Sequence, residues 1–270
     1  MSAVGFIGLG NQGAPIAQRI ADAGLPLAIW ARRAEVATPY AAKGVRVAAS
    51  VAELGAACRH VGICVRNDAG VVEVCDALIP AMAPGGLIAV HSTILPATSE
   101  QLAARCASVG LQFVDAPVSG GALAAQAGTL TVMCGASDEA FATARPVFET
   151  FGRLIVLLGP AGSGQRAKLV NNALLSANVA LAWAALQAGQ ALGMDRAALA
   201  AVIAQSSGAS TGLTHAAAIA DPTEYSLGGP LLRKDLDLLC AAIPDDPGAM
   251  ALDRAARSFL LAATGEGEAP

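Results

Sequence analysis

Gly5-Phe6-Ile7-Gly8-Leu9-Gly10-Asn11-Gln12-Gly13 is the stretch from which the rest of the chain can be read. An apolar run over residues 3–7 enters Gly-x-Gly-x-x-Gly, and Ala14-Pro15-Ile16-Ala17-Gln18-Arg19-Ile20-Ala21 follows with helical character. Strand, then glycines, then helix is the context in which this spacing acts as a dinucleotide fingerprint rather than an ordinary turn. Gly8 lets the chain turn, Gly10 lets backbone amides approach a pyrophosphate, and Gly13 lets the helix lie close to the strand. The free amides and dipole at the helix start favour the phosphate charge.

Outward from this unit, Gly24 ends the first helix and residues 27–30 form a second strand. A site for NAD(H) usually has an Asp or Glu just past that strand, to accept from the ribose 2′-hydroxyl. Ala31-Arg32-Arg33 stands there instead. Two guanidiniums suit a 2′-phosphate, so NADP(H) is favoured and NAD(H) remains possible; the plainer reading is a solvated turn.

The alternation continues. Strands are predicted at 44–47, 61–65, 87–90, from 113, at 130–134 and at 154–157, with helices near 51–57, 69–81 and 96–109 and one between the last two strands. Arg66-Asn67-Asp68, His91-Ser92-Thr93 and Ala116-Pro117-Val118-Ser119-Gly120-Gly121 are read as loops at strand ends. Strands alternating with helices through short connections imply a mostly parallel, doubly wound sheet of the Rossmann type. The alternation stops at Gly159-Pro160-Ala161-Gly162-Ser163-Gly164. The expected organisation is α/β: a dinucleotide-binding domain over 1–161, then an all-α domain over 162–270, headed by a long interdomain helix at about 165–193. The small, polar tail 265–270 is expected to fray.

Composition narrows the function classes. The chain has 270 residues, 54% of them hydrophobic and 14% charged, with a formal net charge of −4. It lacks the clustered Lys and Arg of a nucleic-acid surface. It opens without a basic n-region, so no signal peptide is expected and the location is read as cytoplasmic. The apolar stretch at 169–192 carries Asn171, Asn172, Asn178, Gln187 and Gln190, which favours a buried or interface helix over a membrane span. A homodimer or homotetramer is expected to bury its alanine-rich surface. Six cysteines form no C-x-x-C pair. They are read as reduced core residues, and Cys58 with His60 as structural rather than a metal site.

Three further groups invite chemistry. Ser119-Gly120-Gly121 offers a hydroxyl and freed amides to a carboxylate. Lys168 and Asn172 are spaced i, i+4 on the long helix and so share a face, with Asn171 beside them. They suit an acid/base and its positioning partner. Arg233-Lys234-Asp235 lies in the helical region. Taken singly, these have plainer readings: a glycine turn, a solvated lysine, a charged helix surface.

Together they resemble a known family. The opening fingerprint, His91-Ser92-Thr93-Ile94-Leu95-Pro96, Asp115-Ala116-Pro117-Val118-Ser119-Gly120-Gly121, Gly128-Thr129-Leu130-Thr131, Gly162-Ser163-Gly164-Gln165-Arg166-Ala167-Lys168-Leu169-Val170-Asn171-Asn172 and Lys234-Asp235-Leu236 occur in the order and spacing of the β-hydroxyacid dehydrogenases, over residues 4 to about 240. The resemblance implies interconversion of a small β-hydroxy acid and its semialdehyde by hydride transfer. Lys168 matches the catalytic lysine and Asn172 the asparagine that helps hold the reacting oxygen. Ser119, Gly120 and Gly121 fall at the substrate carboxylate, and Asn171 among the substrate-binding residues. Gly8, Leu9, Gly10, Asn11, Gln12, Gly13, Ala31, Arg32, Arg33, Cys64, Val65, Arg66, Thr93 and Lys234 fall at the cofactor. An alkylammonium titrates near about 10.4 in water, so Lys168 is expected to act as an acid in reduction, and oxidation to favour alkaline pH. Imine reductases share the architecture but commonly carry Asp or Tyr where Lys168 stands. A non-catalytic NADP-binding scaffold is the other alternative. Gln12 replaces a usual methionine, Val90 a frequent Asp and Leu227 a common aromatic.

Overall fold

The computed structural model describes residues 3–266. The chain forms two compact units, Met1–Lys168 and Leu169–Pro270.

In the first unit, β1 (Ala3–Ile7), β2 (Leu27–Trp30), β3 (Arg46–Val47), β4 (Cys58–Ile63), β5 (Leu87–Val90) and β6 (Gln112–Asp115) run parallel in the order β3-β2-β1-β4-β5-β6. This is the doubly wound dinucleotide-binding order, and its direction reverses between β1 and β4. Three more strands, β7 (Val118–Ser119), β8 (Leu130–Gly135) and β9 (Gly152–Gly159), extend the sheet. β8 is antiparallel to β6 and β7 and parallel to β9.

Strand side chains alternate between two cores. Phe6, Ile29 and Ala89 pack with Ile16 and Ile20 of α1 (Gly13–Asp22) and with Val147 and Phe148 of α7 (Asp138–Phe148). Their neighbours Ile7, Ala28 and Ile88 face the other way. They pack with Leu54 of α3 (Val51–Ala57), Val71 and Leu78 of α4 (Asp68–Leu78) and Leu102 of α5 (Pro96–Ser108). Period-two alternation with both faces apolar is what a sheet covered by helices on both sides requires. Ser50, Asn67 and Ser137 cap α3, α4 and α7 by accepting from the amides of Glu53, Gly70 and Ala140, which fixes where each helix starts.

The structure differs from the sequence reading at several boundaries. β4 begins at Cys58, not 61, because the chain leaves α3 directly into pairing with β1. Val118 and Ser119 are not loop residues; they pair with Val132 and Thr131. α4 ends at Leu78. Helices α2 (Ala34–Ala41) and α6 (Gly121–Ala127) are additional to those expected.

Helix α8 (Ser163–Ala191) starts in the first unit and continues into the second. It is long and apolar enough to cross a membrane by length and composition, but half of its most apolar window is buried inside the fold. In the second unit its Leu169, Ala173, Ala180, Trp183 and Leu186 form a core with α10 (Thr211–Ala217), α11 (Gly229–Ala242) and α12 (Pro247–Ala263). Arg196, on α9 (Arg196–Ala204), lies 4.6 Å from the Trp183 ring centre and donates to the carbonyls of Ala216 and Ile219. A cation over an indole face, with two carbonyls accepting from it, fastens α9 to this core. The expected fraying of the tail does not begin at 265. Gly265 and Glu266 donate to the carbonyls of Ala262 and Leu261, and Glu266 pairs with Arg233 at 2.7 Å. The remainder of that stretch, 267–270, lies outside the described residues.

Two buried histidines sit within the first core's aromatics. His91 stacks on Phe6 at 6.0 Å and His60 meets Phe148 edge-on at 6.0 Å. Burial holds both imidazoles neutral, with pKa values pushed down to about 3 for His60 and about 4 for His91. Unfolded histidines titrate near 6.5, so in this interval the unfolded chain binds more protons. The stability these groups contribute is complete above about pH 6.5 and is lost as pH falls towards the folded values. Asp115 acts oppositely: burial raises it to about 6, so its contribution improves as pH falls. Two imidazoles outweigh one carboxyl, and urea midpoints are expected to fall between pH 6.5 and 4. His60 Nε2 has no hydrogen-bond partner, so a His60→Leu variant should fold and show a shallower acid limb. An unchanged slope would refute the assignment.

Candidate dinucleotide cleft and catalytic residues

A cavity of about 360 Å³ opens at the carboxyl ends of β1, β2 and β4, within the first unit. That end of the sheet, at the strand-order reversal, is where doubly wound folds bind ligands, and the volume falls in the range of small-molecule sites. Gly8 shapes the floor at φ +97°, where a Cβ would lie 2.1 Å from the Cys64 carbonyl oxygen. A Cβ on Gly13 would lie 1.9 Å from the Gly8 oxygen. The Cβ direction of Gly10 meets nothing within 4 Å. Two glycines thus close the turn against protein, and the third leaves space in front of the helix. Helix α1 has no side-chain cap and no acidic residue in its first turn. The Ala14 amide donates to the Gly10 carbonyl and Pro15 has no N–H, so the amides of Gln12 and Gly13 are the ones left to an anion, and the loop fits the pyrophosphate of a dinucleotide.

Of the residues the sequence assigns to the cofactor, Gly8, Leu9, Gly10, Ala31, Arg32, Arg33, Val65 and Arg66 line this cavity. Asn11, Gln12, Gly13, Cys64, Thr93 and Lys234 do not. Gly13 and Cys64 support it from behind through the close approaches just described, and Gln12 Nε2 lies 3.5 Å from the Gly121 carbonyl. That long contact brings the fingerprint to the Ser119–Gly121 loop. Asn67, Gly70 and Val74 form the opposite wall. Asn67 belongs to the loop already read at the end of β4; Gly70 and Val74 carry no signal of their own, since a small residue and a valine after an N-cap mark any helix start.

The stretch after β2 has no carboxylate, but the fold supplies one. Glu73 on α4 pairs with Arg32 at 2.6 Å, with both side chains about two-thirds exposed. An ion pair so exposed is worth only about 0–1 kcal/mol. Arg33 is exposed and lies 3.9 Å from Glu35.

Lys168 is buried, at 8% exposure, one turn before Asn172 on α8. Asn172 is also buried. Its Nδ2 donates to Asp235 Oδ2 at 2.5 Å and its Oδ1 accepts from Asn171 Nδ2 at 3.0 Å. This leaves one amide proton and one lone pair for a further partner. Asp235 is buried and forms an ion pair with Lys234 at 2.9 Å, so the helical unit holds Lys234, Asp235 and Asn172 as one group. Thr93 and Ser119 are half-buried, and Gly120 and Gly121 are exposed with φ of +127° and +69°. The cysteines are free. Desolvation raises the thiols, Cys58 to about 11 and Cys64 to about 12, so they suit packing rather than nucleophilic chemistry.

A doubly wound sheet, a glycine cradle before an uncapped helix and a cavity at the strand-order reversal define an NAD(P)-dependent oxidoreductase domain. Comparison with known proteins agrees. Residues 3–159 match the family model described as the NAD binding domain of 6-phosphogluconate dehydrogenase. Residues 162–269 match the one described as NAD-binding of NADP-dependent 3-hydroxyisobutyrate dehydrogenase. The chain is 33% identical over 247 residues to mouse mitochondrial 3-hydroxyisobutyrate dehydrogenase, covering 87% of this chain and 74% of the relative. It is 37% identical over 218 residues to the NAD-dependent L-serine dehydrogenase of Pseudomonas aeruginosa, covering 77% and 71%. The structure of Mycobacterium tuberculosis 3-hydroxyisobutyrate dehydrogenase with L-serine superposes with a TM-score of 0.85 at 29% identity, over 96% of this chain and 92% of that one. The chain belongs to the β-hydroxyacid dehydrogenase family and is an NAD(P)-dependent hydroxyacid dehydrogenase.

Proposed function

We propose that this enzyme interconverts a small β-hydroxy acid and its semialdehyde, with NADP(H) preferred and Lys168 as the general acid/base. The observation carrying this reading is the buried Lys168 with the equally buried Asn172 one turn further along α8. An amine taken out of water is held there for a reason other than solubility. A nicotinamide dinucleotide, when bound, exchanges the hydride. The protein's part is to orient the substrate and move a proton. In reduction, Lys168 Nζ donates to the oxygen that gains negative charge, and its own charge stabilises that oxygen beforehand. Asn172 is fixed by Asp235 and Asn171 and offers its remaining amide proton to the same oxygen. The backbone amides and hydroxyl of Ser119–Gly121 take the carboxylate. This sets the distance between carboxylate and carbonyl, and so the class of substrate. Relatives named for 3-hydroxyisobutyrate and L-serine support a short acid with its hydroxyl on C3.

Preference for NADP(H) rests on Arg32 and Arg33. The exposed Glu73 holds Arg32 weakly, and a doubly charged 2′-phosphate outcompetes one carboxylate for it. The test is an NADPH-consumption screen over glyoxylate and succinic, tartronic and methylmalonic semialdehydes, repeated with NADH and, in reverse, with 3-hydroxyisobutyrate and L-serine. Replacing both arginines with alanine is expected to lower kcat/KM for NADPH by about 10- to 100-fold, the worth of one or two charge-assisted hydrogen bonds, and to leave NADH turnover nearly unchanged. Equal losses with both cofactors would overturn the preference. No turnover of any hydroxy acid or semialdehyde would overturn the substrate class.

A further inference from the structure

The first turn of α8 is held by two buried side chains that the chemistry above does not use. Asp115, the last residue of β6, is fully buried. Its carboxylate accepts from the amides of Gly162 at 2.7 Å and Gln165 at 2.8 Å. These are amides a helix start leaves without intrahelical partners, so a residue some fifty positions earlier caps α8. Gln165 is fully buried too, and its side chain turns towards the loop after β5. Nε2 donates to the Ser92 carbonyl at 2.9 Å and Oε1 accepts from the Ile94 amide at 3.1 Å. The two groups it holds flank Thr93, so the amide brackets that residue as a neighbouring strand would. Ser92 Oγ in turn accepts from the Val65 amide at 2.8 Å, and Val65 lines the cavity. The joint is tight as well as bonded: a Cβ on Gly164 would lie 2.3 Å from the Met133 carbonyl oxygen. Lys168 follows Gln165 by three residues, on the same face of the helix.

We propose that Gln165, anchored through Asp115, is a positioning residue that keeps Lys168 in register with Thr93 and the Val65 edge of the cofactor cavity. This rests on the reading of Lys168 as the acid/base. A carboxamide presents a donor and an acceptor side by side to a carbonyl and an amide at any pH. An ionised carboxylate at 165 would face the Ser92 carbonyl with a lone pair, whereas a protonated one would restore both bonds.

The test compares Gln165→Met and Gln165→Glu. With methionine, the Ile94 amide is expected to exchange with solvent about tenfold faster while the rest of the first unit keeps its protection. That readout needs no substrate. Turnover is expected to fall about 100-fold, the scale of a 1 Å misplacement, with KM and the dissociation constant for NADPH little changed. With glutamate, activity relative to wild type is expected to rise about tenfold from pH 8 to pH 6, because burial and the nearby Asp115 carboxylate favour the protonated acid; methionine shows no such rise. A purely structural role would lower melting temperature and NADPH affinity together and would give glutamate no acid recovery. Unchanged Ile94 exchange, or methionine turning over at near wild-type rate, overturns the proposal. If the wild type turns over no hydroxy acid or semialdehyde, the function proposed above fails, and Ile94 exchange alone decides whether the clamp exists.

Discussion

Lys168→Ala is expected to lower kcat for the semialdehyde by about 10²–10⁴-fold, the range for loss of a general acid, while NADPH binds as in the wild type. The separation follows from location. Lys168 lies on α8, and the residues lining the cofactor cavity come from the ends of β1, β2 and β4 and from α2 and α4. Alanine is the best helix former, so the helix and its Asp115 cap should persist. Lys168→Arg should not rescue, because a guanidinium is larger and does not give up its proton near neutral pH. Fluorescence titration with NADPH and single-turnover oxidation measure the two halves separately. The alkaline preference expected for oxidation should also vanish, since no group is left that must first lose a proton. Near wild-type turnover with intact cofactor binding would remove Lys168 from the mechanism.

What could be read in advance follows physical range. The Rossmann order rests on local signals: apolar strands, glycine turns and helix starts within a few residues of one another. The strands and most helices were legible; the short helices α2 and α6 were not, and strand boundaries moved where pairing overrode the local pattern, as where Cys58 joins β4 and where Val118 and Ser119 pair with β8. The glycine cradle was legible for the same reason. Distant pairings were not. Nothing near Arg32 in sequence points to Glu73, forty-one residues later. Asp115 and Gln165 read as ordinary members of their motifs until the fold places one carboxylate beneath a helix start. Asn172 was named for its spacing from Lys168. The restraint that orients it comes from Asp235, which only helix packing in the second unit brings within reach.

The fingerprint glycines separate protein geometry from ligand geometry, and two single substitutions should show it. Gly8→Ala is expected to destabilise the first unit by about 3 kcal/mol or more and to abolish NADPH binding. The new methyl group would require a left-handed backbone that costs about 1–2 kcal/mol on its own, and it would lie 2.1 Å from the Cys64 carbonyl oxygen. That oxygen belongs to backbone, so β1 and β4 must part at their cofactor end, which places the change among the severe, strain-driven class. Gly10→Ala meets nothing within 4 Å. Its unliganded stability should stay within about 0.5 kcal/mol of wild type. A dinucleotide pyrophosphate, however, needs the space that the methyl would fill. Saturating NADPH raises the wild-type unfolding free energy by about 2.7 kcal/mol at a hundredfold excess over its dissociation constant, and Gly10→Ala should lose most of that rise. Thermal unfolding with and without NADPH measures both effects. If Gly10→Ala keeps the full NADPH-induced stabilisation, the pyrophosphate does not pass over Gly10, and the cavity at the ends of β1, β2 and β4 must hold the cofactor in another way.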